Sequence, residues 1–208
     1  MEKFKFEIPS IERKQEAIEY INEFIKYNSE INGVGSLDKY IDNYEGWLVK
    51  LEESYNIIPN EKLVPSRTYF LIRVNDNKIV GMINIRLTLN ENLKKLGGHI
   101  GYSIRPTERQ KGYNKVNLYL GLGVCQKYGI KDAMLTCYKD NIASSKTMKA
   151  LGGTLIEEWN EETRNNKTMQ KYIINVDKSL EVYKPIYENL IERKTKIRRW
   201  NKCKLLMI

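Results

Sequence analysis

One stretch constrains this chain more than any other: His99-Ile100-Gly101-Tyr102-Ser103-Ile104-Arg105-Pro106-Thr107-Glu108-Arg109-Gln110-Lys111-Gly112-Tyr113-Asn114-Lys115. Residues His99 to Arg105 read as a strand, and Pro106 closes it because proline cannot continue a paired ladder. A polar loop, Thr107 to Lys111, leads to Gly112. A helix then runs from about Tyr113 to Tyr128 and ends at Gly129. A strand that feeds a helix through a basic, glycine-bearing loop is an anion cradle in physical terms. The first helical N–H groups have no intrahelical acceptor, and the helix dipole adds partial positive charge. Gly112 lets the backbone come close to a phosphate, and Arg109, Lys111 and Lys115 add charge. The GxxxxGK[ST] and GxGxxG spacings are both absent, so this is neither a Walker loop nor a dinucleotide fingerprint. On the loop alone, an ordinary strand-to-helix turn with solvated basic side chains stays open.

The rest of the chain supplies context for that loop. An amphipathic helix is expected over residues 11 to 27, capped by Ser10, with Ile11, Ile18, Ile21 and Ile25 on its apolar face. A second is expected from about Leu37 to Ser54. Tyr69 to Val74 and Ile79 to Leu89 read as a hairpin about the turn Asn75–Lys78. After the central strand and helix come a short strand, Ala133 to Tyr138, and a helix from about Ile142 to Leu151 that begins after Asn141. A closing hairpin pairs Thr154–Trp159 with Thr168–Val176. From Val182 the pattern is helical again. This order describes a mixed α/β single domain with an extra C-terminal helix.

Composition narrows the function classes. Hydrophobic residues make up 41% and charged residues 29%, enough for a core and incompatible with wholesale disorder. No stretch approaches eighteen apolar residues and the first ten residues carry no apolar leader, so neither a membrane span nor a signal peptide is expected. Three cysteines, Cys125, Cys137 and Cys203, in no CxxC spacing argue against disulfides and structural zinc, and suggest a reducing cytoplasm. The net charge of +9 is concentrated: Arg193, Lys194, Lys196, Arg198, Arg199, Lys202 and Lys204 leave a nearly neutral body. That segment reads as a solvated helix face, or as a helix packing its apolar side on the body or on a second copy, which admits a homodimer. A nucleic-acid contact through residues 193–204, with Trp200 stacking on a base, is the less favoured alternative.

From Gly98 to Gly153 the chain resembles the GNAT superfamily of acyl-CoA-dependent N-acetyltransferases. Arg109-Gln110-Lys111-Gly112-Tyr113-Asn114 stands where that family has its pyrophosphate loop, Arg/Gln-x-x-Gly-x-Gly/Ala, with Asn114 as a departure. Asp140-Asn141-Ile142-Ala143-Ser144 through Gly152 matches the family's Asn, helix and terminating glycine. The resemblance covers residues 67 to 176 well. It implies a GNAT-like twisted mixed sheet flanked by helices. The domain would span residues 1–176, with 1–65 as acceptor-side helices, and 177–208 would be a basic helical extension.

The resemblance further implies acetyl-CoA as co-substrate, no metal, and direct transfer of acetyl to a primary amine on a small molecule or peptide. The backbone at Ser103 and Ile104 would pair with the pantetheine arm and polarise the thioester carbonyl. Residues Arg109, Gln110, Lys111, Gly112, Tyr113, Asn114 and Lys115 would hold the pyrophosphate, with Asn141 and Ser144 near the pantetheine or adenylate. Direct transfer leaves Cys125 and Cys137 no nucleophilic task, and Cys137 reads as core. An amine whose pKa is near ~10.4 must lose a proton before it attacks. His99, the sole histidine, is the candidate base, although a strand histidine with a structural hydrogen bond is the favoured reading. The tyrosine that many relatives use as acid is here Met148, so Tyr138 is the substitute candidate. Tyr40, Tyr44 and Trp47 read as a core stripe or a pocket wall, and Glu45, Glu52 and Glu53 as acids near an acceptor or a solvated face. A competing function is a binding module of the same fold that acts on RNA or an acidic partner through its basic tail.

Overall fold

The structure is a computed structural model that describes residues 1–192. The basic cluster 193–204, with Trp200 and Cys203, lies outside the described residues. The hairpin expected from the β-branched runs is present as β2 (Ser66–Arg73) and β3 (Lys78–Arg86). It is flanked by β1 (Phe4–Glu7), antiparallel to β2, and by β4 (Ile100–Ile104), antiparallel to β3, in the order β1-β2-β3-β4. A second sheet joins β5 (Asp132–Tyr138), β6 (Thr154–Glu161) and β7 (Lys167–Asn175) in the order β5-β7-β6.

Two helices cover one face of the first sheet. They are α1 (Lys14–Lys26) and α2 (Tyr44–Ser54). Their buried Tyr20, Ile21, Phe24, Tyr44 and Trp47 pack with Phe70, Ile72, Ile79 and Met82 of the strands. Each large side chain buried this way contributes on the order of 1.5–3 kcal/mol. The expected isoleucine stripe on α1 is corrected. Ile11 and Ile25 are exposed, and the buried face is Ala17, Tyr20, Ile21 and Phe24. Ser10 makes no capping hydrogen bond. The second expected helix breaks into a 3-10 turn, Leu37–Lys39, and α2, whose cap is Asn43 accepting from the Gly46 amide. Strand β1 and the short α3 (Glu91–Leu96) were not expected.

The opposite face is covered by α4 (Tyr113–Lys127), whose Val116, Leu122 and Cys125 pack on Ile83, Ile85 and Leu135. Helix α5 (Ile142–Lys149) links β5 to β6. Helix α6 (Val176–Tyr187) starts six residues earlier than expected and packs on α4, with the Tyr119 and Tyr187 rings 5.1 Å apart. The chain after α6 returns to β1, where the Glu192 amide donates to the Phe4 carbonyl. Residues 177–192 are therefore tied into the body.

The two sheets meet at one point. Gly98 bridges Leu135, and the His99 amide donates to the Met134 carbonyl over 2.7 Å. Only glycine fits at 98: φ is +67°, and a Cβ there would collide with the Met134 carbonyl. Beyond this contact β4 and β5 part, and the gap between them is the main cavity.

Candidate active site

The cavity encloses about 920 Å³ between β4, β5, the loop after β4, the start of α5, and the α1–α2 loop around Asn28–Gly33. Strand β4 offers it a free edge. Arg105 donates its amide to Val80, and Arg86 donates to the His99 carbonyl. By the alternation of an antiparallel ladder, Gly101 and Ser103 therefore turn their backbone groups to β3. The backbone groups of Tyr102 and Ile104 face the gap instead. Ile104 accordingly gives its carbonyl to Arg109 Nε at 3.3 Å. Ser103 sends its hydroxyl the other way, 3.0 Å from the Tyr20 hydroxyl.

The strand runs on into the cradle. Pro106–Glu108 form a 3-10 turn, and Gln110 and Gly112 both adopt positive φ, 64° and 81°. Such reversals turn loop N–H groups toward one side, the geometry that binds anions. Gly112 caps α4 without any side-chain cap, so the amides of Tyr113 and Asn114 keep their donors, while that of Lys115 bonds the Gly112 carbonyl. Nothing lies within 4 Å of where a Cβ on Gly112 would stand, so a side chain would occupy the open mouth of the cradle. Arg109 is held across the gap, its Nη2 2.7 Å from Ser29 Oγ and its guanidinium over the Phe24 ring. Asn114 and Lys115 line the cavity.

Glu108 organises the loop from beneath. Its buried carboxylate accepts from Arg73, Lys78 and Lys111 at 2.7–2.8 Å. Burial pushes its pKa up, but the hydrogen bonds from Arg73, Lys111 and Lys78 outweigh this and hold it at about 2. Lys111 is thereby turned toward Glu108 and does not line the cavity, a departure from its expected place among the phosphate ligands. The Tyr113 ring packs on Phe4, and its hydroxyl donates to Glu2, so this residue meets the cavity mouth without presenting its hydroxyl there.

On the β5 side, Asn141 caps α5 by accepting from the Ser144 amide at 3.0 Å. Ser144 Oγ lies 2.8 Å from the Tyr102 hydroxyl, which reaches across from β4. Burial pushes the Tyr102 phenol well above its ordinary value. Tyr138 lines the cavity, and its hydroxyl accepts from Arg164 Nη1 at 2.8 Å. Met148, at the position of the relatives' tyrosine, is fully buried in the core.

His99 stands apart from the cavity lining. Its Nδ1 accepts from the Met134 amide at 3.0 Å while its own amide donates to Met134, so the imidazole staples the two sheets. With Nδ1 accepting, the neutral ring carries its proton on Nε2 and keeps no free lone pair. Burial, with Arg86 nearby, pushes its pKa down to about 4. This geometry departs from the base expected of His99. Cys125 and Cys137 are buried, and burial raises their thiols to about 12 and about 11. Tyr44 and Trp47 are core, and none of Glu45, Glu52 and Glu53 reaches the cavity.

The expected residues that converge on the cavity are therefore Ser103, Ile104, Arg109, Gln110, Gly112, Tyr113, Asn114, Lys115, Tyr138, Asn141 and Ser144, although the Ser103 backbone pairs with β3, a departure from its expected pairing with the pantetheine arm. Tyr102, Arg86 and the Asn28–Gly33 wall were missed. Tyr102 had a signal in the strand's alternation, which places it on the face opposite His99. No helix among the described residues is long and apolar enough to cross a membrane.

A family model described as an acetyltransferase (GNAT) domain matches residues 13–154. No curated protein matches the chain. Several solved structures share its fold. A ribosomal-protein-S5-alanine acetyltransferase from Vibrio fischeri is 17% identical, covers 84% of this chain and 94% of its own, and superposes with a TM-score of 0.61. RimJ from Mycobacterium smegmatis, solved with a CoA-disulfide, is 10% identical, covers 88% of each chain, and gives 0.65. The protein yncA from Salmonella typhimurium, solved with its cofactor acetyl-CoA, is 10% identical, covers 84% of this chain and 94% of its own, and gives 0.57.

Proposed function

The chain belongs to the GNAT acetyltransferases, and on that premise we propose that it transfers acetyl from acetyl-CoA directly to a primary amine. The observation that carries this reading is the continuity of the cavity wall. The edge of β4 that carries the Tyr102 backbone and the Ile104 amide faces away from β3 and leads through the loop into the N-terminus of α4, which has no side-chain cap. A linear ligand with an amide-bearing arm and a pyrophosphate matches that sequence of donors, and the open space at Gly112 fits the pyrophosphate end.

Acetyl-CoA supplies the acyl group as an activated thioester. The amides of residues 110–114 hold the pyrophosphate, with the Lys115 side chain adding charge. The backbone of Tyr102 and Ile104 orients the arm, and an N–H of that edge polarises the acyl carbonyl as negative charge develops on it. Arg109 clasps the loop to the α1–α2 wall. Asn141 fixes the start of α5, and with it Ser144 and Tyr102. The amine gives up its proton to water, since the His99 lone pair is engaged by Met134. Tyr138 protonates the leaving sulfur and is reprotonated from solvent, with Arg164 steadying its hydroxyl.

Thiol release from acetyl-CoA, followed against a panel of amines, tests the reading. The expected result is amine-dependent release, with Tyr138→Phe lowering kcat by about tenfold or more and Tyr102→Phe changing it less. Absence of release with every amine would contradict the transfer. An equal rate in Tyr138→Phe would remove that tyrosine from the mechanism.

A further inference from the structure

Arg86 ends β3 and stands in the cavity wall beside Gly97, Gly101 and Gly33. Among the described residues its side chain has a single hydrogen bond, from Nη1 to the Gly98 carbonyl at 3.1 Å, and no carboxylate partner. Arg13, Arg73 and Arg105, by contrast, are each matched to a carboxylate. A guanidinium carries five N–H donors, so most of those on Arg86 are uncommitted. Two glycines flank its guanidinium: a Cβ on Gly97 or Gly101 would stand 3.8 Å from one of its terminal nitrogens, so neither neighbour brings it a polar side chain. Burial pushes its pKa down, the mark of a desolvated charge without compensation. Keeping a cation there without an anion is costly unless a ligand provides one.

Its position says which ligand. Arg86 lies opposite His99, at the start of β4, whereas the phosphate cradle follows the strand's end. Six residues of strand separate the two by roughly 20 Å. Arg86 is therefore remote from the cradle and faces the end of the cavity where the acceptor must meet the acyl group. Of the carboxylates lining the cavity, Glu108 is consumed by its own cations, and Glu30 makes no ion pair with Arg86.

We propose that Arg86 anchors the acceptor by binding an anionic group, a carboxylate or a phosphate, carried by the amine substrate. The planar fork suits bidentate capture of either group. The acceptor class is then an amino acid or another anionic amine, not a polyamine. This inference rests on the acetyl-transfer reading.

The test uses the full chain and matched amine pairs: γ-aminobutyrate against butylamine, lysine against cadaverine, and phosphoethanolamine against ethanolamine, with spermidine as a cationic control. Acetyl-CoA affinity is measured alongside for wild type, Arg86→Met and Arg86→Lys. The expected result is a kcat/KM at least about tenfold higher for the anionic member of a pair in the wild type, falling to within about twofold in Arg86→Met. Arg86→Lys keeps part of the preference, and acetyl-CoA affinity is unchanged in all three. The pair that shows the effect distinguishes carboxylate from phosphate. Discrimination that persists in Arg86→Met overturns the proposal. So does preference for butylamine, cadaverine or spermidine, and so does failure to acetylate any anionic amine by a chain that binds acetyl-CoA. A wild type that does not bind acetyl-CoA overturns the transfer reading, and the anchor falls with it.

Discussion

With Nδ1 accepting from Met134 and its pKa pushed down to about 4, His99 is neutral at physiological pH. The fold favours the neutral ring, so the unfolded chain binds a proton first as the solution is acidified. The stability contributed by His99 is full above the ordinary histidine value of about 6.5 and is lost as pH falls toward about 4. The urea midpoint should fall between pH 7 and 4.5, and His99→Asn should flatten that decline while lowering stability at pH 7 by about 1–3 kcal/mol. The same variant should keep the shape of the kcat profile between pH 6 and 9. A histidine inflection in wild type that vanishes in His99→Asn would restore the ring as the base. The sequence puts His99 on the strand, whereas it stands one residue before β4, and its task depends on Met134, thirty-five positions away, which no local pattern reveals.

Among the elements, the turn from β4 to α4 is the one whose geometry the chemistry needs most, and Glu108 holds it. Three cations meet on this one carboxylate, and removing its charge leaves them to repel each other. Glu108→Gln should cost about 1.5–3 kcal/mol of stability and weaken acetyl-CoA binding several-fold, read by chemical denaturation and calorimetry. Because its folded pKa is about 2, the stability from Glu108 is present above the ordinary carboxylate value and is lost only as pH falls from about 4.5 toward 2. This turn was legible in advance because proline, glycine and asparagine punctuate it, and those residues act through local backbone geometry. Asn141 was legible for the same reason. Strand β1 was not: Phe4–Glu7 is four residues long and acquires its identity only by pairing with β2, some sixty residues later. On α1 the isoleucine spacing predicts only part of the buried face: Ile21 is buried as expected, whereas Tyr20 and Phe24 fill the rest of the space against the sheet and Ile11 and Ile25 are exposed. The charge of Lys111 predicts a phosphate ligand, but its orientation is set by Glu108, which Arg73 and Lys78 hold in turn.

At the scale of the whole molecule, two sheets joined at Gly98 and His99 enclose one cleft lined from both sides. A ligand that bridges the sheets binds the folded state alone. At a concentration one hundred times its Kd it adds about 2.7 kcal/mol. Acetyl-CoA at that concentration should therefore raise the Tm by roughly 5–10 °C. The cavity lining runs from Asn28 to Met169, so deleting residues 193–208 should leave this shift unchanged. Loss of the shift on truncation would give the basic segment a part in donor binding. The parting of β4 from β5 could not be read from the chain, because each strand has the pattern of an ordinary sheet member, and the gap arises only from how the two sheets meet. Arg86 was invisible for a related reason: a lone arginine at a strand end carries no pattern until the fold strips it of partners.

Calorimetric titration with acetyl-CoA, with ATP and desulfo-CoA as references, is the most direct test, made on the wild type and on Gly112→Asp. The Asp side chain would fill the open space at Gly112 with a negative charge, at a φ that side chains adopt only under strain. The account predicts micromolar binding by the wild type, far weaker binding of ATP, and a loss of about a hundredfold or more in a folded Gly112→Asp. No binding at millimolar acetyl-CoA, or undiminished affinity in the variant, would contradict it.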